Sequence, residues 1–482
     1  MKIEDTFLAD KAASAVKKIE TGRGKRLKKK VVTPPISAHA IKDLKSSDGK
    51  YYCGFAMREV MPDDVLAKDY WIAGHGPGRK IEGVHDPVTA RAMWIGVKDE
   101  GGIILCSVDC IGLTNVEVTN VRNRLAGFCK SAKCKSVNIS CTHSHAGFDT
   151  VGYWGKLPRT GKDPDYMEKL LSTIAEICRE AYEKRTAGDL FVGSIHAPDG
   201  QLDRREPIVL HDTLTRLRFV PDDGSKETWF LNYAAHPNTL GGPNRLVSAD
   251  YPYYLRETIY KSKDVNELFS VGAIGAVDPG PFSKDLPERT RMQGEYLGKK
   301  ALEIDNDEKL DAEIVEIRQP FYIPADNAVL AFLAHLKVMS SRIFPSDEGA
   351  LGLCMKTEMT YIRLGRQSIL ILPGENFPET VYGGYSDAVH SATGKPADIN
   401  PKPLIDIAGD ENLLVFGVTN DMTGYVVPPN DFILHPTQPY LSSAKDRFDR
   451  KHYHETNSLG INTQAKIAET FAGIIERINR LK

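Results

Sequence analysis

The chain has 482 residues, 41% hydrophobic and 26% charged, the balance of an ordinary soluble globular protein long enough to bury a large core. Its net charge of −2 gives no global reason to expect nucleic acid or an anionic membrane as partner. Met1-Lys2-Ile3-Glu4-Asp5-Thr6 lacks the apolar stretch of a secretory signal, and no apolar run of about 18 residues could span a bilayer, so a cytoplasmic location is expected.

Residues 1–50 differ from the remainder. Lys25-Arg26-Leu27-Lys28-Lys29-Lys30 is a basic cluster followed by Pro34-Pro35, with few apolar positions nearby. A membrane or nucleic-acid patch is one reading; a solvated arm or a subunit-contacting extension, consistent with a homo-oligomer, is the one adopted. Residues 51–482 are read as one catalytic body.

From Tyr51 onward strand-like and helical patterns alternate. Gly74-His75-Gly76-Pro77-Gly78-Arg79-Lys80 is a glycine-rich basic loop, but it lacks the Lys-Ser/Thr ending of a phosphate loop. Gly102–Val108 reads as a buried strand, and Asn115–Lys130 as a helix. Ser136–Cys141 is strand-like and runs into Thr142-His143-Ser144-His145. Asp163-Pro164 supplies an N-cap with Pro in the first turn, ahead of Met167, Leu170, Leu171, Ile174, Ile177 and Cys178 at helical spacing. Near the C-terminus Ile467, Phe471, Ile474, Ile475, Ile478 and Leu481 form a second stripe. The eight cysteines form no C-x-x-C pair; Cys106, Cys110, Cys141 and Cys178 lie in apolar runs and read as buried thiols.

Alternation along an extended strand puts Cys141, His143 and His145 on one side. Two imidazoles facing one point can begin a metal site, although a hydrogen-bonded pair at a strand end would look the same. Three further strand-like runs end in polar groups. Glu227–Ala235 leads to His236-Pro237, where the proline cannot continue a central ladder. Ser368–Leu372 breaks at Pro373-Gly374 before Glu375, and Leu413–Val418 leads to Thr419-Asn420-Asp421 and Gly424-Tyr425. Binding sites in α/β architectures gather at the C-terminal ends of strands. Two histidines and a carboxylate, with room for water, form a zinc hydrolase ligand set.

The ordered motifs Thr142-His143-Ser144-His145, Asn232-Tyr233-Ala234-Ala235-His236, Pro373-Gly374-Glu375 and Gly424-Tyr425-Val426 resemble those of the neutral ceramidases, the non-lysosomal zinc amidases. Gly83-Val84-His85 through Ala90-Arg91-Ala92, Ser248-Ala249-Asp250 and His452-Tyr453 extend the likeness over about residues 51 to 480. The resemblance implies an α/β (mixed α+β) fold, a four-layer sandwich of two mixed sheets between outer helices. It implies zinc ligands at His143, His236, Glu375 and Tyr425, with His145, Arg204 and Tyr453 as catalytic residues; Arg205 lies one register from Arg204. By position the Gly74–Lys80 loop resembles a family loop bordering the substrate entrance, lined by His75 or His85.

Two departures stand out. The family's G-D-V-S-P is Gly275-Ala276-Val277-Asp278-Pro279 here, which excludes a serine nucleophile at that place. The family usually continues into an immunoglobulin-like domain, and this chain is expected to be the catalytic portion alone. The residues support activation of water by Zn2+, which lowers the pKa of bound water toward about 7. Tyr453 and Arg204 are then candidates to stabilise the oxyanion, and His145 to shuttle the proton. The expected substrate is a small-molecule or lipid N-acyl compound; an ester or small polar amide, or a non-catalytic metal-binding role, are the alternatives.

Overall fold

The computed structural model describes residues 14–15, 30–37, 39–384, 388–433 and 444–480. Lys25 to Lys29 of the basic cluster and Leu481 of the C-terminal stripe lie outside the described residues.

Two mixed sheets carry the architecture. The larger has nine strands, in the order Asn266–Val271, Thr228–Tyr233, Thr213–Pro221, Thr186–His196, Tyr51–Glu59, Thr89–Val97, Gly101–Val108 and Cys134–Cys141, with Glu308–Lys309 beside Thr186–His196. Its first and last pairs are parallel and the rest antiparallel. The smaller runs Lys42–Lys45, Glu313–Pro324, Leu353–Leu364, Gln367–Ile371 and Leu414–Phe416, with Ile343–Pro345 beside Leu353–Leu364. Only its final pair is parallel.

Central strands such as Thr89–Val97 are apolar on both faces because both faces are covered. Met93, Ile95 and Val97 join Ile362, Leu364, Ile369, Ile371 and Phe416 in a core between the sheets. The alternate residues Ala90, Ala92 and Trp94 join the outer core beneath the helices, as a side-chain period of two requires. Phe230 and Phe416 stack across the two sheets at 4.9 Å between centroids. On the outside of the larger sheet, helix Pro164–Glu183 packs on strands Tyr51–Glu59 and Thr89–Val97, and helix Leu286–Glu303 on Thr186–His196 and Thr213–Pro221. Helix Thr463–Asn479 covers strand Glu313–Pro324 of the smaller sheet. The expected four-layer α/β sandwich is what forms.

Local signals behave as their chemistry dictates. Asp163 caps helix Pro164–Glu183 by accepting from Tyr166 N, and its apolar stripe is buried. The helix expected over Asn115–Lys130 is two, Asn115–Arg124 and Ala126–Ser131, broken at Leu125 where ψ falls to −1°.

One feature of the larger sheet positions the site. The sheet curls until its two edges approach, and Ser107 Oγ donates to Phe269 O at 2.6 Å. The segment after strand Leu414–Phe416 is stitched into both edges: Gly417 N donates to Val271 O (2.9 Å), Asn420 N to Ile139 O (3.0 Å), and Cys141 N to Val418 O (3.1 Å). Edge groups that would otherwise be unpaired are thereby satisfied. The C-terminal ends of four strands from two sheets consequently meet in one place.

Candidate metal centre

His143 and His145 do not converge by strand alternation. Strand Cys134–Cys141 ends at Cys141, and the chain turns through His143 at φ +66°, a left-handed conformation that costs a non-glycine residue roughly 1–3 kcal/mol. Surrounding bonds hold the turn: His143 N donates to Cys110 O (2.9 Å) and His145 N to Pro237 O (2.9 Å). The second of these ties the histidine loop directly to the residue after His236. His236 N in turn donates to Val277 O at 3.0 Å.

Three imidazoles result: His143 and His236 are buried, and His145, half-buried as a residue, has both ring nitrogens shielded from solvent. Their rings lie 4.9 Å (His143 to His145), 5.1 Å (His143 to His236) and 5.5 Å (His145 to His236) apart, and one ring nitrogen from each falls within 4.8 Å of the others. Glu375 closes the cluster. Gly374, at φ +66°, packs against the backbone of Gly424 too closely for a Cβ, and this turn delivers Glu375 into a two-residue parallel ladder opposite Tyr425.

The hydrogen-bond roles are set by the backbone. His143 Nδ1 lies 2.6 Å from Ile111 O, and His236 Nδ1 lies 2.9 Å from Val277 O. A carbonyl only accepts, so Nδ1 is the protonated nitrogen in both rings. In the neutral rings each Nε2 then presents a lone pair. Both face the same oxygen: Glu375 Oε2 is 2.9 Å from His236 Nε2 and 3.4 Å from His143 Nε2. Acceptors aimed at acceptors require a cation or a proton between them. Burial pushes the Glu375 carboxyl up, but His143 and His236 outweigh it and hold it below the usual carboxylate range. Burial likewise pushes His236 down, and Glu375 outweighs it and raises the imidazole. His143 Nε2 and both ring nitrogens of His145 are buried without a hydrogen-bond partner. Burial, reinforced by His143, His75 and His236, drives the pKa of His145 well below its ordinary value.

Tyr425 sits beside Glu375, its ring 6.4 Å from that of His236 and 4.7 Å from that of His454. Burial pushes its phenol well up, reinforced by the Glu375 charge. Tyr453 opens the short helix Tyr453–Thr456; its ring is 6.3 Å from Tyr425, and 44% of its surface is exposed, so it can reach a ligand entering from outside. Arg204 is half-exposed, with Nε 2.5 Å from Asp278 Oδ2. Its neighbour Arg205 is buried in a different role, donating to His454 Nδ1 (3.1 Å) and His452 Nδ1 (3.0 Å) and pairing with Asp431 at 3.0 Å.

His75, from the glycine-rich loop, lies 5.0 Å from His145 ring to ring. Gly74 (φ +92°) lies flush against the His145 side chain, where a Cβ would collide. His85 is turned outward and bonds Tyr254 Oη at 2.9 Å. Asn420 and Asp421 are structural ties: Asn420 Oδ1 accepts from Ile139 N, and Asp421 Oδ1 from Asn115 N, both at 2.9 Å. The interlock of Arg205 with His452, His454 and Asp431 is not visible in the sequence, because Arg205 lies more than 200 residues before the other three and nothing in His452-Tyr453-His454 points to it.

No family model matches the chain, and no curated protein sequence matches it. Its fold does match solved structures. The neutral ceramidase of Pseudomonas aeruginosa superposes with a TM-score of 0.67 at 16% identity, over 90% of this chain and 75% of that one. A ceramidase complexed with C2 superposes at 0.66, also 16% identical, over 90% and 76%. The chain therefore has a neutral ceramidase-like fold.

Proposed function

We propose that the chain is a zinc-dependent hydrolase cleaving an N-acyl bond, with residues 51–482 as its catalytic body. The observation that carries this reading is the convergence of two backbone-fixed Nε2 lone pairs on one buried carboxylate oxygen, beside a third imidazole with both nitrogens unpartnered. A buried donor set of this kind is costly unless a cation completes it.

His143, His236 and Glu375 would hold the ion, with Tyr425 as a fourth, phenolic ligand. Nitrogen and oxygen donors in a buried cluster suit zinc. The Nδ1 bonds to Ile111 and Val277 orient the two rings, the outer-shell role that raises ligand basicity. When bound, the ion supplies polarisation of the scissile carbonyl and a lowered pKa for water. Tyr453 donates its phenolic O–H to the carbonyl oxygen as charge develops there, a contribution of about 3 kcal/mol where such donors are well placed. Arg204 presents its Nη groups to the substrate at the same mouth. His145, walled off from bulk water, takes the proton of the attacking water and returns it to the leaving amine.

A second assignment has its own support: one His145 nitrogen is near enough to those of His143 and His236 to act as a third nitrogen ligand. Metal content separates the two. His143→Ala is expected to lose both metal and turnover. His145→Ala is expected to keep the metal and lose turnover; loss of the metal there makes His145 a ligand. If both variants retain wild-type metal and rate, the site lies elsewhere.

A further inference from the structure

The face of the centre that opens outward is ringed by arginines. Arg79 is 7% exposed, and its terminal nitrogens donate only to backbone carbonyls, Gly242 O at 3.0 Å and Ala73 O at 3.2 Å. Its Nε is buried with no partner. Arg245 shares the Gly242 carbonyl at 3.0 Å, and the His75 ring packs against Gly242. Arg289 donates to Pro279 O (3.1 Å) and Gly280 O (3.2 Å), just after Asp278. Among the described residues none of these three is paired with a carboxylate.

Asp278 is the acid that pairs with Arg204 here. It accepts from Asn238 Nδ2 at 3.1 Å and from Arg204 Nε at 2.5 Å. It directly follows Val277, whose carbonyl holds His236 Nδ1 at 2.9 Å, and so borders the centre. The buried Asp250, which caps helix Tyr251–Tyr260 and bonds Thr239, lies behind Arg289. The Arg204 side chain is 54% exposed, and its Nη groups have no partner among the described residues. The chain as a whole carries −2, so this excess of cations is local and does not follow from composition.

We propose that the substrate is anionic, carrying a carboxylate or similar oxyanion on its amine portion, and that Arg204, fixed by Asp278, receives it. This deepens the N-acyl hydrolase reading and rests on it. Asp278 occupies Nε and so leaves the two Nη groups as a fork, the geometry a carboxylate accepts in bidentate fashion. Arg79, Arg245 and Arg289 contribute long-range field, which a mouth with low-dielectric walls concentrates. Asp278 is thus a positioning residue for Arg204 and repels a second anion placed against itself.

The test uses four amides sharing one acyl chain: the N-acyl derivatives of glycine (carboxylate), taurine (sulfonate), ethanolamine (neutral) and ethylenediamine (cationic). The zinc-loaded protein is expected to show kcat/KM about tenfold or more higher for the anionic pair than for the ethanolamide, the worth of one charge-assisted hydrogen bond. Glycine against taurine tells carboxylate from sulfonate. Raising salt should increase KM for the anionic substrates selectively. Arg204→Gln should bring the anionic-to-neutral ratio close to one, and Asp278→Asn should move the ratio without removing the metal. Equal or better turnover of the neutral or cationic amide, or an unchanged ratio in Arg204→Gln, overturns the proposal while leaving the hydrolase reading in place. If none of the four is hydrolysed, that reading fails instead, and calorimetric binding of the same compounds still decides this one: tighter binding of the anions that Arg204→Gln abolishes supports it, and equal binding refutes it.

Discussion

Replacing Glu375 by glutamine probes the centre with the least collateral change. The side chain keeps its shape, its backbone stays tied to Gly424 O at 2.9 Å, and the carboxylate being replaced lies 2.9 Å from His236 Nε2 and 3.4 Å from His143 Nε2. What is lost is the negative charge that the Nε2 lone pairs of His143 and His236 surround. Stripping the counter-charge from a buried ion costs about 3–5 kcal/mol, and because the amide oxygen remains as a neutral donor the lower end applies, roughly a hundredfold in metal affinity. Dialysis against chelators of graded strength, with zinc counted by emission spectroscopy, reads this directly. Turnover should fall with the unloaded fraction and recover in part with excess zinc, while the far-ultraviolet dichroism is unchanged. Retention of zinc by Glu375→Gln against the same chelators as the parent would refute the ligand assignment.

Gly374→Ala should have a related effect by a different route: φ +66° and the crowding by the Gly424 backbone give an expected loss of about 1–3 kcal/mol in stability together with weaker zinc retention, and wild-type values for both would contradict the turn's role. Phe416→Ala removes the ring stacked on Phe230 between the sheets and should cost about 3–5 kcal/mol in urea denaturation; a loss under about 1 kcal/mol would mean that the inter-sheet core collapses to fill the gap. Glu379 has a buried Oε2 without a partner, and burial, with Asp203 and Asp431 nearby, raises its pKa to about 8. Between the unfolded value near 4.5 and 8 the folded state holds a proton that the unfolded state has released, so this contribution is full below about 4.5 and declines as pH rises toward 8, at about 1.4 kcal/mol per pH unit. Denaturation at pH 5.5 and 7.5 should show that decline, and Glu379→Gln should flatten it; an equal slope in the variant would assign the proton elsewhere.

Of the strands, those read from the sequence are short apolar runs, two of them ended by a proline stop, whereas the longer Thr186–His196, Glu313–Pro324 and Leu353–Leu364, which carry charged residues along their length, left no such mark. Pro373-Gly374 and His236-Pro237 mark chain reversals by backbone chemistry alone, and that is enough to nominate Glu375 and His236. Asp163-Pro164 marks its helix equally plainly. The left-handed turn at His143 was not legible, since nothing in Thr142-His143-Ser144 distinguishes it from an extended continuation. The strain is imposed by Cys110 and Pro237, residues remote in sequence. Tyr425 is in the same position: its place opposite Glu375 comes from a two-residue parallel ladder, too short to leave a periodic trace. The mouth was legible only as separate oddities, a glycine-rich basic loop and an aspartate in place of a serine, because the packing of His75 on Gly242 that joins them exists only in three dimensions.

The centre also depends on the sheets being docked. His143 follows an edge strand of the larger sheet and His236 an inner one, while Glu375 and Tyr425 follow strands of the smaller. In the proposed set of His143, His236, Glu375 and Tyr425, neither sheet alone supplies every donor. The segment after Leu414–Phe416 binds the smaller sheet to both edges of the larger through Val271, Ile139 and Cys141, and those contacts lie between the strand ends that carry the proposed ligands. A perturbation that loosens the seam is therefore expected to move His143 away from Glu375 while leaving the ladders within each sheet in place. By linkage, an ion bound across the seam stabilises the docked state by an amount that grows with its concentration over its dissociation constant, so metal binding and inter-sheet packing should report on one another in denaturation experiments.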